Sequence, residues 1–319
     1  MFAPSPLPRT LEASFRDLGS TSYATRASAI RDVVRHALAD AGTRGRAVPL
    51  LERALSSDTA SSVRAAAAVA LADLGAGEAL ATLLVAVEDE DPNVRQMALT
   101  ALGEIGDPRA RPRLERALKD GRPEVRYQAV IAFARAAADD GPAVAAALAV
   151  ALGDTDSEIR YIAMRLAEEH RVIGDVPARA AELLDGPDGA LGVVAALYLA
   201  RLGDAGGKAA VIDVVAERRA TPVLEDEQAC VEIAGELGLQ EAIPLLEKRA
   251  WGAPRTLRHW LGLAVGTGSR CAWHARVALA KMGHDRARDE IVRDLASWRR
   301  GVRDAATVAA ARSGIVPTG

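Results

Sequence analysis

The segment Val94 Arg95 Gln96 Met97 Ala98 Leu99 Thr100 Ala101 Leu102 returns in altered form along most of the chain, and its period constrains the architecture more than any other feature. Pairs of a β-branched residue and an arginine stand at Val63 with Arg64, Val94 with Arg95, Val125 with Arg126, and Ile159 with Arg160. The arginines are therefore 31, 31 and 34 residues apart, which is the spacing of helical repeat arrays. In such an array each unit packs only on its neighbours, so the core grows as a strip. A length of 319 residues then needs no division into separate globular cores. Hydrophobic residues make up 50% of the chain but aromatics only 3%, so the interior must be built from Ala, Leu and Val. Side chains of that size let helices approach to about 8–10 Å between axes.

Each unit reads as a first helix, a turn with glycine, and a second helix. In the third unit the spacing predicts a first helix from about Asn93 to Ile105. Gly106 stops it, and Asp107 and Pro108 open the second helix. The inward stripe is Val94, Met97, Ala98, Ala101, Leu102 and Ile105, at intervals of three and four. The same stripe falls on Val63, Ala67, Ala70 and Leu71, on Val125, Ala129, Ala132 and Phe133, on Ile159, Ala163 and Leu166, and on Leu191, Ala195, Tyr198, Leu199 and Leu202. Weaker copies place Cys230 before Gly238, Cys271 with Ala275 before Gly283, and Val302 with Ala306 before Gly314. An opening unit around Thr25 to Ile30 brings the count to nine. Leu11, Phe15 and Leu18 form a short capping helix ahead of it. The expected fold is all-α, an α-solenoid (superhelical arch) of about nine helix pairs.

The pattern of Asp, then Val with Arg, then Ala and Leu, then Gly, as between Asp89 and Gly106, resembles the HEAT repeat family and its bacterial subgroup, the phycobilisome-lyase HEAT-like (PBS lyase HEAT-like) repeats. The resemblance covers nearly the whole chain. It implies a solenoid and a function drawn from scaffolds, adaptors and lyase subunits, which share one framework.

Asp58, Asp89, Asp120 and Asp154 each precede a repeat arginine, Arg64, Arg95, Arg126 and Arg160, by six positions. A catalytic site needs one convergent constellation, and a copy in every unit is structural. The aspartate accepts backbone amides in the inter-repeat turn, and the arginine reaches to it or to a neighbouring unit. Cys230 and Cys271 fall on core positions and read as small apolar groups. The five histidines show no zinc spacing with them, so no metal, cofactor or catalytic residue is expected. Gly262 to Gly268 lacks the lysine and preceding strand of a phosphate loop and reads as a connection, and Gly186 to Gly189 as an inter-repeat turn.

The pattern breaks between the seventh and eighth units, 45 residues apart from Glu227 to Ala272. The organisation read from the chain is an N-terminal extension with the capping helix over 1–19 and repeats one to seven over 20–247. An insertion rich in Trp and Arg follows over 248–270, and then repeats eight and nine with a C-terminal cap over 271–319. Residues 248–319 hold 14 Lys and Arg against 5 Asp and Glu, whereas the preceding residues hold 26 against 38. Three of four tryptophans lie in or next to the insertion; Trp298 stands in the turn before the last unit. Trp and Arg dominate binding hot spots, which makes Trp251, Arg255, Arg258, Trp260, Trp273, Arg299 and Arg300 the candidate partner-binding residues. Closing the core at the end of the stack is the competing role for these side chains.

The reading is a non-enzymatic protein–protein interaction scaffold or adaptor whose partner is another protein with an acidic surface. A HEAT-like bilin lyase or a HEAT-like DNA-repair protein is the alternative, and the acidic balance of residues 1–247 argues against duplex binding. No apolar run approaches the length of about 20 residues that spans a bilayer. Two cysteines without a disulfide framework point to a reducing compartment and a cytoplasmic protein.

Overall fold

A computed structural model describes residues 9–251 and 271–315. Among these residues there are eighteen α-helices and no strand, and they alternate in the predicted way. The first helices are α2 (Tyr23–Ala39), α4 (Ser61–Asp73), α6 (Pro92–Ile105), α8 (Pro123–Ala136), α10 (Ser157–Glu169), α12 (Gly189–Arg201), α14 (Leu224–Glu236), α16 (Ala272–Lys281) and α18 (Arg300–Ser313). The second helices are α3 (Ala41–Ser57), α5 (Leu80–Ala86), α7 (Arg111–Ala117), α9 (Gly141–Leu152), α11 (Val176–Leu184), α13 (Ala205–Val215), α15 (Ile243–Trp251) and α17 (Asp285–Leu295). A capping helix α1 (Leu11–Asp17) packs on α2. The fold class is that of an all-α solenoid, divided into two compact units, Met1–Leu166 with Val172–Asp175 and Ala167–Arg171 with Val176–Gly319.

Local chemistry sets the helix ends. The carboxylates of Asp40, Asp91, Asp140, Asp188 and Asp204 accept amides of the first turns that follow them, which satisfies donors that no helix can satisfy internally. Gly106 ends α6 at φ 68°, a left-handed conformation that would strain any residue with a Cβ. Asp107 then accepts the Arg109 amide to start the second helix, as expected.

Packing explains where the single inward stripe falls short. Val94, Ala98, Ala101 and Leu102 are fully buried, but so are Leu99 and Gly103, while Met97 and Ile105 are half-buried. The reason is that α6 packs sideways on α4 and α8 as well as on a second helix, so two lateral faces join the stripe. In α12 every residue from Leu191 to Ala200 is buried, and the helix is apolar all round. Leu202, assigned inward by register, is 40% exposed at the helix end. The first helices lie close enough for a Cβ on Gly103 to sit 2.8 Å from Ala132 Cα, and one on Gly235 to sit 2.6 Å from Ala278 Cα.

Candidate functional site

The repeated aspartates and arginines form a ladder that ties each of the first four repeats to the next. Arg26, Arg64, Arg95 and Arg126 reach forward to Asp58, Asp89, Asp120 and Asp154, each through Nε and Nη2 to both carboxylate oxygens at 2.7–2.9 Å. The remaining nitrogen, Nη1, donates to a backbone carbonyl six residues back: Arg64 to Asp58, Arg95 to Asp89, Arg126 to Asp120 and Arg160 to Asp154. Each aspartate also accepts the amide two residues on, at Ala60, Asp91, Arg122 and Asp156. The carboxylate partner is thus in the following repeat, and the link to the aspartate six positions back runs through its carbonyl. Side chains in these pairs are 10–16% exposed, and bidentate Arg–carboxylate geometry makes them stronger than ordinary surface pairs.

Titration follows from this geometry. The Arg26 and Arg126 hydrogen bonds hold the Asp58 and Asp154 carboxyls below the usual range, against partial burial. At Asp120 burial works the other way, and the bonds from Arg95 and the Arg122 amide outweigh it. A folded pKa below the unfolded one adds stability above the unfolded value of about 3.9, lost as pH falls through the folded value. Thermal melts should therefore show a stable plateau above about pH 5 and a fall below about pH 4. In Asp58→Asn/Asp154→Asn that fall should be smaller, and an unchanged acid limb would count against the ladder.

Beyond Arg160 the ladder stops, because the position six before Gly192 is Gly186 and offers no carboxylate. A second charged row takes over in Ala167–Gly319, at the other end of the first helices. Arg201 bonds Glu168 at 2.5 Å and Glu236 at 3.0 Å, and Lys281 bonds Glu236 at 3.1 Å. Other arginines act as helix caps: Arg249, 5% exposed, donates to the carbonyls of Val214 and Val215 and to Glu227. Arg111 reaches the Ala136 carbonyl, Asp139 and Asp140.

The candidate partner-binding residues divide by environment. Trp251 ends α15 half-buried; its Nε1 donates to Glu290 at 3.0 Å, the Arg286 guanidinium lies 4.0 Å over its ring, and His284 is 5.5 Å away. Trp273 meets the edge of His274 at 5.0 Å and lies under Arg312, which bonds Glu232 at 2.6 Å. These two side chains are engaged within the chain. Trp298 is different, being 84% exposed in the turn between α17 and α18, with Arg299 5.2 Å from its ring and Arg300 beside it almost fully exposed. Arg255, Arg258 and Trp260, like the stretch Gly262 to Gly268, lie outside the described residues.

Residues 47–134 and 80–168 each match the sequence profile of HEAT repeats. Residues 47–168 are HEAT repeats. Solved structures share its fold: the E. coli protein YibA is 16% identical over 83% of this chain and 92% of its own, with a TM-score of 0.55. Importin β is 14% identical over 95% of this chain and 46% of its own, with a TM-score of 0.51. The complex of CpcE and CpcF of phycocyanin lyase from Nostoc sp. PCC7120 is 20% identical over 77% of this chain and 96% of that one, with a TM-score of 0.46. No curated protein matches the chain.

The two cysteines are fully buried and unbridged, and burial pushes the Cys230 thiol up, away from the thiolate that nucleophilic chemistry requires. Burial likewise raises Tyr198 to about 12 and lowers His274. Among the described residues no three His, Cys, Asp or Glu side chains converge as metal ligands, and no helix is long and apolar enough to cross a membrane. Shallow grooves between successive second helices have aliphatic floors, such as the one of about 570 Å³ over Ala209, Ile212 and Leu239.

Proposed function

We propose that this chain is a non-enzymatic scaffold or adaptor that holds a protein with an acidic surface at its basic end. The exposure of Trp298 beside Arg299 and Arg300 carries the reading. A large aromatic left in water beside Arg299 and Arg300, the latter pairing with Asp304 at 3.7 Å on the exposed surface, is the composition of a binding hot spot, and Trp251 and Trp273 lack that exposure. Part of the positive charge of residues 248–319 is used internally, through Arg249 with Glu227, Lys281 with Glu236 and Arg312 with Glu232. Residues 285–313, the segment that holds Trp298, carry seven arginines against five Asp and Glu, a small cationic surplus.

Affinity capture from the native cell with quantitative mass spectrometry tests this. The triple variant Trp298→Ala/Arg299→Glu/Arg300→Glu should recover at least about tenfold less partner, the scale of a lost hot spot, with an unchanged melting temperature. Full recovery by that variant would refute the assignment.

A further inference from the structure

We infer that α18 presents an open receptor for an aspartate-bearing turn, so that the partner at this end docks as another repeat would. The inference rests on the reading above and names the chemistry of the partner. Arg303 is the ladder arginine of the ninth repeat: its Nη1 donates to the carbonyl of Ser297, six residues back, at 3.0 Å, as Arg95 does to Asp89. Ser297 Oγ accepts the Arg299 amide, the same role Asp120 plays for the Arg122 amide. The Arg303 guanidinium is therefore oriented as in the upstream repeats, but its Nε and Nη2 have no carboxylate among the described residues.

The helix face beside it is open in the same sense. Eight residues after Arg95, Gly103 lies against Ala132 of the next first helix; eight residues after Arg303, Ala311 is exposed. Val308, at 48%, and Val302, at 36%, are exposed on the same helix, and Trp298 precedes it. Arg160 also keeps only carbonyl contacts, but eight residues after it stands Glu168, already bonded to Arg201. The arrangement at Arg303 differs in having both the fork and the helix face uncovered. Four bidentate pairs in the same chain define what fits: an Asp in a turn that leads directly into a helix with a small-residue face.

The protein can be titrated with a fluorescent synthetic peptide copying residues 118–153, which begins at the Asp120 turn and continues through α8 and α9. Saturable binding with a gain of peptide helicity is expected. Arg303→Lys, which keeps the charge but not the fork, should weaken it about tenfold, as should Asp120→Asn in the peptide. The two changes together should cost no more than either alone. Equal binding by Arg303→Lys, equal binding by the Asp120→Asn peptide, or no binding at millimolar peptide would overturn the inference. If Arg303→Lys still captures the cellular partner while the Trp298 triple variant does not, the receptor fails and the basic-end assignment stands. If neither variant loses it, both fail.

Discussion

Replacing Arg95 by alanine is expected to lower stability by about 2–3 kcal/mol, well above the effect of an ordinary surface ion pair. Asp120, only 16% exposed, would keep the Arg122 amide but lose both charge-assisted bonds from the guanidinium. The carbonyl of Asp89 would lose its donor as well. Because α6 packs on α4, α5 and α8, and stacked repeats pass load mainly to their neighbours, the loss should be local. Hydrogen exchange should rise in α6 and α8, with little change in α14 to α18. Equal loosening along the whole chain would mean that the ladder does not act between adjacent repeats.

A comparably large effect is expected from Gly103→Val. Even a Cβ at this position would come within 2.8 Å of Ala132 Cα and 3.0 Å of its Cβ, and a backbone atom cannot yield as a flexible side chain does. Valine must push α6 and α8 apart, at a cost of about 3 kcal/mol in the range seen for overpacked cores. Gly106→Ala, where no atom lies within 4 Å but φ is 68°, should cost about 1 kcal/mol through backbone strain alone. Urea midpoints that rank the two variants in the opposite order would contradict the close lateral packing of the first helices.

The features that were legible in the sequence are local. Gly106, Asp107 and Pro108 act within a turn or two of where they stand, so helix ends and the register of nine first helices could be read directly. What depended on the relation between repeats could not. Arg95 lies six positions from Asp89 and 25 from Asp120, and sequence proximity gives no hint that its fork points forward while only Nη1 turns back. Leu99 and Gly103 escaped the stripe because burial of a lateral face follows from the neighbouring helices. The second charged row left a signal: Arg201, Glu236 and Lys281 each stand two residues before a stop glycine and alternate in sign. Trp298 was legible as a residue type in a basic setting, but what separates it from Trp251 and Trp273 is exposure, which arises only once Glu290, Arg286 and Arg312 have taken their places.

The central claim is that consecutive repeats are joined by an arginine reaching forward to the next aspartate. Double-mutant cycles on Arg95→Ala with Asp120→Ala, and on Arg95→Ala with Asp89→Ala, test it by chemical denaturation. A coupling of about 1.5–2 kcal/mol is predicted for Arg95 with Asp120. For Arg95 with Asp89, where only a backbone carbonyl is contacted, the two changes should add to within about 0.5 kcal/mol. A larger coupling to Asp89 than to Asp120 would contradict the account.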